Sequence, residues 1–223
     1  MSRNHGLYAA LFTVALLVQA LPNAADAAPV PNGNITALRA AIANAAPGGT
    51  IVLAANGTYT LDGTELVIDK QITIKGRGAT ISGNDASRVI NVISTGNLTL
   101  RDVIITGGSA DYGGGINNDS GTVTLSDTSS VSGNTAEYGG GIYNSGTVTL
   151  RDKSSVSGNT ADGPGGGIFN NGGTLTLKDK SSVSYNTADG PGGGIYNNGG
   201  TLNNANAGGN VRNNQPDQIY NNP

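Results

Sequence analysis

The 223-residue chain has a formal net charge of −3, 36 glycines, no cysteine and 12% charged residues, about half the usual share of roughly 25%. Glycine this dense argues against helix bundles, since each interior helical Gly costs about 1 kcal/mol. The lack of Cys excludes disulfides, thiolate nucleophiles and Cys-ligated zinc, and a pI near 4.9 argues against a nucleic-acid partner.

Arg3 and His5 precede a mostly apolar run from Leu7 to Leu21, and Ala25-Asp26-Ala27 follows as an A-x-A cleavage pattern. Residues 1–27 therefore read as a secretory signal peptide, cleaved before Ala28. The apolar run is shorter than the ~20 residues needed to span a bilayer, so no integral membrane segment is expected after cleavage. Cleavage also removes His5, the sole histidine. Ser-His-Asp, Cys-His and His-zinc sites are then excluded from the mature protein. The expected location is outside the cell or at its surface, with the periplasm as the other destination.

Residues 28–49 read as a linker and a short N-terminal capping helix. Ile35, Leu38, Ile42 and Ala45 recur at helical spacing, and Gly48-Gly49 ends the pattern. A solenoid's open end needs such a plug, because unpaired strand edges invite aggregation.

Residues 50–223 read as a solenoid. Short β-branched runs such as Thr50-Ile51-Val52-Leu53, Ile72-Thr73-Ile74 and Leu98-Thr99-Leu100 alternate with turn residues. From about 113 to 200 the repeats become regular: TVTLSDTSSVSGN at 122–134, TVTLRDKSSVSGN at 147–159 and TLTLKDKSSVSYN at 174–186. Gly-Gly-Gly-Ile blocks ending at Ile116, Ile142, Ile168 and Ile195 step by 26, 26 and 27 residues. Length changes fall only at Gly, Pro and Asn, as expected for strands joined by turns. Three short strands per ~25-residue rung cannot bury a core alone, but stacked rungs can. The predicted fold is all-β, a parallel β-helix with three short strands per rung and about seven rungs, on the order of 30–35 Å long at β spacing.

The stretch ITALRAAIANAAPGGTIVLAANGTYTL resembles the N-terminal region of secreted bacterial right-handed β-helix proteins of the pectin-lyase-like superfamily. Those with a Cys-Ser-Leu-Arg-Glu-Ala-Ile signature are most similar; Ile35-Thr36-Ala37-Leu38-Arg39-Ala40-Ala41-Ile42 departs from it in lacking Cys and Glu. The repeats resemble those of polymorphic outer-membrane proteins and related adhesins, which pair Gly-Gly-Ala-Ile with Phe-x-x-Asn. Here Gly replaces Ala, and Val replaces Phe in Val131-Ser132-Gly133-Asn134. The resemblance implies a right-handed single-stranded β-helix. It leaves adhesin, lyase, hydrolase and inert stalk all open as functions.

Stacking turns each repeated residue into a column. Tyr143, Phe169, Tyr196 and Tyr220 each follow an inward Ile, so alternation points their rings outward. Exposed rings in a row could stack on the sugars of a polysaccharide or cell-surface glycan. Asp111, Glu137, Asp162 and Asp189 form an acidic column without basic sequence neighbours, whose oxygens would suit Ca²⁺, the one cofactor suggested. Asp102, Asp127, Asp152 and Asp179 recur directly after a strand. Their ~5 Å spacing overlaps that of retaining glycosidases, but repetition in every rung favours a structural Asx-turn. Asn134, Asn159 and Asn186 are expected at a corner in left-handed geometry. Thr122/Thr124, Thr147/Thr149 and Thr174/Thr176 make a Thr-x-Thr face similar to those of ice-binding solenoids.

No residue is assigned a catalytic role. The expectation is a secreted non-catalytic rod, adhesin-like or glycan-binding. The alternatives are a polysaccharide lyase or glycoside hydrolase and, second, an ice-binding solenoid. Were there an enzyme site, Lys75, Arg77 and Arg88 beside Asp69 and Asp85 are where it would fall.

Overall fold

The computed structural model describes residues 28–222; the expected signal peptide, 1–27, lies outside them. The described residues form an all-β parallel solenoid of about seven turns with one short helix. Its strands form a twelve-stranded, a seven-stranded and a four-stranded sheet. Pairing joins each strand to its equivalent one turn away, so Thr122, Val123, Thr124 and Leu125 lie beside Thr147, Val148, Thr149 and Leu150, and these beside Thr174, Leu175, Thr176 and Leu177. Because a one-residue slip would turn every inward side chain outward, the alternation fixes this register.

The twelve-stranded sheet wraps a corner. In two early turns single strands, Gln71–Ser82 and Asn97–Thr106, run straight through it. Later turns break there into pairs, such as Thr147–Leu150 followed by Ser155–Ser157. At the break Asp102, Asp127, Asp152 and Asp179 adopt left-handed backbone, with φ of 56, 58, 59 and 56°. Contrary to the Asx-turns expected from sequence, their carboxylates form no such turn on their own chain among the described residues. They bond between turns instead: Asp127 N–H donates to Asp152 Oδ2 at 3.1 Å, and Asp152 N–H to Asp179 Oδ2 at 3.0 Å. Arg101 Nε reaches Asp127 Oδ2 at 3.0 Å, which raises the guanidinium pKa above its ordinary value.

The three strands foreseen in each regular turn are present. A further short segment, missed in the sequence, forms the four-stranded sheet from Ser109–Tyr112, Thr135–Tyr138, Thr160–Ala161 and Thr187–Ala188. The core is a set of aliphatic columns, such as Ile90, Ile116, Ile142, Ile168 and Ile195, each 0% exposed. Full burial of such a side chain contributes about 1.5–3 kcal/mol.

Two buried amide columns accompany the aliphatic ones. Asn134, Asn159, Asn186 and Asn214 point inward, each Nδ2 donating at 2.9 Å to the Oδ1 of the next. This corrects the expectation of left-handed asparagines: the left-handed residue is the one before, Gly133, Gly158, Tyr185 or Asn213. That bend shifts the alternation by one, so the following side chain turns inward. The second column, Asn118, Asn144, Asn170 and Asn197, is linked by Nδ2-to-Oδ1 bonds of 2.7 Å and continues to Asn221 at 3.1 Å.

The helix (Ile35–Asn44) covers the N-terminal end as anticipated, burying Leu38 and Ile42. Asn34 caps it by accepting from Ala37 N–H at 2.8 Å, satisfying one of the free amides of the first turn. Arg39 ties it to the first turn through Asp62 Oδ1 at 2.7 Å and the Glu65 carbonyl at 2.9 Å. The hydrogen bond from Arg39 holds the Asp62 carboxyl below its ordinary pKa. Part of the expected linker is also built in: Val30 bridges Leu53, and Tyr59 Oη donates to its carbonyl.

Candidate functional site: an aromatic strip along the rod

In the strand Ile142–Asn144, Ile142 and Asn144 point inward and Tyr143 outward, as period-2 alternation requires. Register carries that outward position along the rod as Val67, Asn91, Asn117, Tyr143, Phe169, Tyr196 and Tyr220. The structure thus brings all four predicted aromatic residues into one column, which begins at Tyr143. Ring centroids lie 5.2 Å apart for Tyr143–Phe169, 4.8 Å for Phe169–Tyr196 and 5.3 Å for Tyr196–Tyr220. These distances follow the strand spacing of about 4.8 Å.

The rings face outward but are not uniformly exposed, contrary to the sequence reading. Phe169 is only 8% exposed, while Tyr143 and Tyr196 are half-buried and Tyr220 is 40% exposed. Phe169 is covered because Tyr138 also packs edge-on against it at 5.7 Å. Tyr138 and Tyr112, from the four-stranded sheet, were not singled out from the sequence. They stack on each other at 5.4 Å, and Tyr112 meets Tyr143 at 5.1 Å with the planes 73° apart. Their signal was available: Asp-Tyr and Glu-Tyr precede the Gly-Gly-Gly blocks at 111–112 and 137–138.

Beside the rings runs an outer amide row. Asn222 Nδ2 donates to Asn198 Oδ1 at 2.8 Å, Asn198 Nδ2 to Asn171 Oδ1 at 2.8 Å, and Asn171 Nδ2 to Tyr143 Oη at 2.7 Å. Stacked rings and bonded amides fix each other's orientation, each aromatic pair contributing about 0.5–1.5 kcal/mol beyond area burial. The strip can therefore present ring edges, hydroxyls and amides in a fixed pattern.

The acidic column is exposed throughout. Asp111, Glu137 and Asp162 line one open groove, with Asp189 a turn further along. Among the described residues no three acidic, His or Cys side chains converge as a metal-holding group. A hydrogen bond with Glu137 raises the Tyr138 hydroxyl pKa above its ordinary value of 10.0, because a phenolate there would face the carboxylate.

The residues flagged for an enzyme site are not gathered together. Lys75 and Arg77 lie at or beside the corner of the twelve-stranded sheet, whereas Arg88 precedes a strand of the seven-stranded one and pairs with Glu65 Oε2 at 2.5 Å. Asp69 is 3.7 Å from Lys70. The Thr face is longer than the sequence suggested, since register places Thr50, Thr73, Thr99, Thr124, Thr149 and Thr176 in one column.

Compared with known families, curated proteins and solved structures, the chain matches no family model, no curated protein and no solved structure. The fold itself defines the class, a parallel β-solenoid with repeated outer faces.

Proposed function

We propose that this chain is a secreted, non-catalytic right-handed β-helix rod, adhesin-like in use, whose aromatic strip binds a polysaccharide or cell-surface glycan. The supporting observation is the continuous run of Tyr143, Phe169, Tyr196 and Tyr220 beside the amide row Asn171, Asn198 and Asn222. Ring faces recur once per turn, at about 4.8 Å, close to the length of one pyranose in an extended chain, with hydroxyls on Tyr143, Tyr196 and Tyr220 and amides on Asn171, Asn198 and Asn222. A glycan lying along the rod would meet one aromatic ring at each sugar.

The test is a glycan array probed with the mature protein and with Tyr143→Ala and Tyr196→Ala. Retention weakened in both variants is expected; retention unchanged in both would end the proposal. Incubation with pectate and alginate, followed by the ultraviolet absorbance of unsaturated products, addresses the lyase alternative. Product formation would overturn the non-catalytic reading.

A second reading is favoured by the six-threonine column beside Thr122, Thr147, Thr174 and Thr201, a regular hydroxyl array suited to ordered water. Ice-recrystallisation inhibition that is lost in Thr149→Tyr would establish it.

A further inference from the structure

At its upper end the aromatic strip stops abruptly. The outward position is a ring at Tyr143 but an amide at Asn117 in the adjoining turn. There Arg88, Tyr112, Asn117, Asp119, Tyr143 and Ser145 line a groove of about 290 Å³. This is where the repeated aromatic face ends, a boundary that occurs once along it, and repetition is what argued against a discrete site elsewhere.

The groove's chemistry is specific. Tyr112 stacks on Tyr138 on one side, and its strand is the edge of the four-stranded sheet. Among the described residues no equivalent strand pairs beyond it, and Tyr112 remains 46% exposed. Arg88 is already committed: Nη1 bonds Glu65 Oε2 at 2.5 Å and Nε bonds the Tyr112 carbonyl at 2.9 Å. Glu65 Oε1 in turn accepts from Asn91 Nδ2 at 2.9 Å, so this charge pair is neutral and internally bonded. Asp119 is exposed and joins no ion pair among the described residues.

The geometry points to this groove as a subsite for one neutral hexopyranose, anchoring the end of a glycan that lies along the strip. The inference rests on the glycan-binding reading above and names its sugar class. The Tyr112 ring can take the C–H face of the sugar, the Asp119 carboxylate can accept from two neighbouring hydroxyls, and Asn117 and Ser145 supply further polar contacts. A uronate is disfavoured, since its carboxylate would meet Asp119 and find Arg88 already neutralised by Glu65.

The test uses the full mature chain against cello-, manno- and galacto-oligosaccharides and against oligogalacturonate. Binding is measured for the native protein and for Asp119→Ala and Tyr112→Ala, each checked by circular dichroism to be folded at the assay temperature. A neutral oligosaccharide should bind more tightly than oligogalacturonate, and each substitution should weaken it about tenfold or more, Asp119→Ala through a lost charge-assisted hydrogen bond and Tyr112→Ala through lost stacking on the sugar face. Asp119→Asn, which keeps the shape, should retain part of the affinity. Neutral-glycan binding that neither substitution alters would refute the groove while leaving the strip standing. Equal affinity for oligogalacturonate would also refute it.

Free glucose, mannose and galactose, titrated while following the Tyr112 ring resonances, separate the two readings. Shifts with these sugars but no glycan retention on the array would uphold the groove and refute the strip. No response in either experiment would refute both.

Discussion

Truncating Asn159 to Ala tests whether the buried amide columns hold the turns together. Its Oδ1 accepts from the backbone N–H and Nδ2 of Asn134 at 3.1 and 2.9 Å, and its Nδ2 donates to the Val131 carbonyl at 3.0 Å and Asn186 Oδ1 at 2.9 Å. Asn186 Oδ1 keeps a second donor, the Asn159 backbone N–H at 3.0 Å. Asn134 Nδ2 likewise keeps the Ile105 carbonyl at 3.2 Å, so the Asn134 N–H and the Val131 carbonyl are the two groups that lose their partner outright, in surroundings where Asn159 and Asn134 are each 1% exposed. At about 1–3 kcal/mol per orphaned buried group, offset in part by water entering the vacated space, the expected loss is about 2–4 kcal/mol. That is a large fraction of the ~5–15 kcal/mol typical of a whole domain. Urea unfolding followed by circular dichroism and by tyrosine fluorescence measures it, the two probes checking that the array unfolds as one unit. Asn159→Asp adds a second reading, because an acceptor would replace the donor facing Val131 and Asn186. Burial should raise that carboxyl above its unfolded value of about 3.9, so the variant is least impaired at acid pH and loses stability as pH rises. The outward Thr149→Ala should change stability by no more than about 0.5 kcal/mol. An Asn159→Ala loss below about 1 kcal/mol, with no pH trend in Asn159→Asp, would refute the argument.

Other predictions concern the turns, the cap and the outer carboxylates. Gly140→Ala should cost about 3 kcal/mol or more, since its Cβ would lie 2.2 Å from the Thr160 carbonyl and 2.6 Å from that of Gly166. Gly158→Ala, with φ of +65° and nothing within 4 Å, should cost only the left-handed backbone penalty of about 1–2 kcal/mol; equal losses in denaturant melts would contradict this. The lowered Asp62 pKa means that its carboxylate adds stability above about 3.8, lost as pH falls through the folded value. Arg39→Met should therefore be less stable at neutral pH and lose less stability on acidification, as thermal melts at several pH values would record. Glu137→Gln should bring the Tyr138 hydroxyl back toward its ordinary pKa, seen as earlier phenolate absorbance in an alkaline titration. Millimolar Ca²⁺ tests the acidic column: a rise in melting temperature abolished by Asp162→Asn would place the ion there, and no shift would rule it out.

Much of the architecture was legible because turns pair equivalent residues, so a repeat in the sequence is itself a contact map. Val148 lies between Val123 and Leu175 in space as in the alignment. The helix was readable from Leu38 and Ile42. The Asn134 column was misplaced because the left-handed residue before it shifts the alternation, a phase change that Ser-Gly-Asn does not announce. The Asn118 column could have been found, since Ile142-Tyr143-Asn144 puts Asn144 on the same side as Ile142. Phe169 could not be recognised as buried, because its covering ring, Tyr138, comes from Thr135–Tyr138, whose Thr-Ala-Glu-Tyr lacks the β-branched alternation of the other strands. The Arg88 groove depends on side chains from several turns and carries no local motif.

The register described here also makes length an independent variable of this molecule. Equivalent residues recur 25 to 27 positions apart along inter-turn bonds such as Asn134–Asn159 and Asn159–Asn186. Deleting or duplicating one such segment would rejoin like with like. The distance from the helical cap to the far end would change by one strand spacing, about 4.8 Å, while every remaining contact kept its kind. Recombination between near-identical coding segments could therefore lengthen or shorten the rod in whole steps, carrying one more or one fewer ring on the strip.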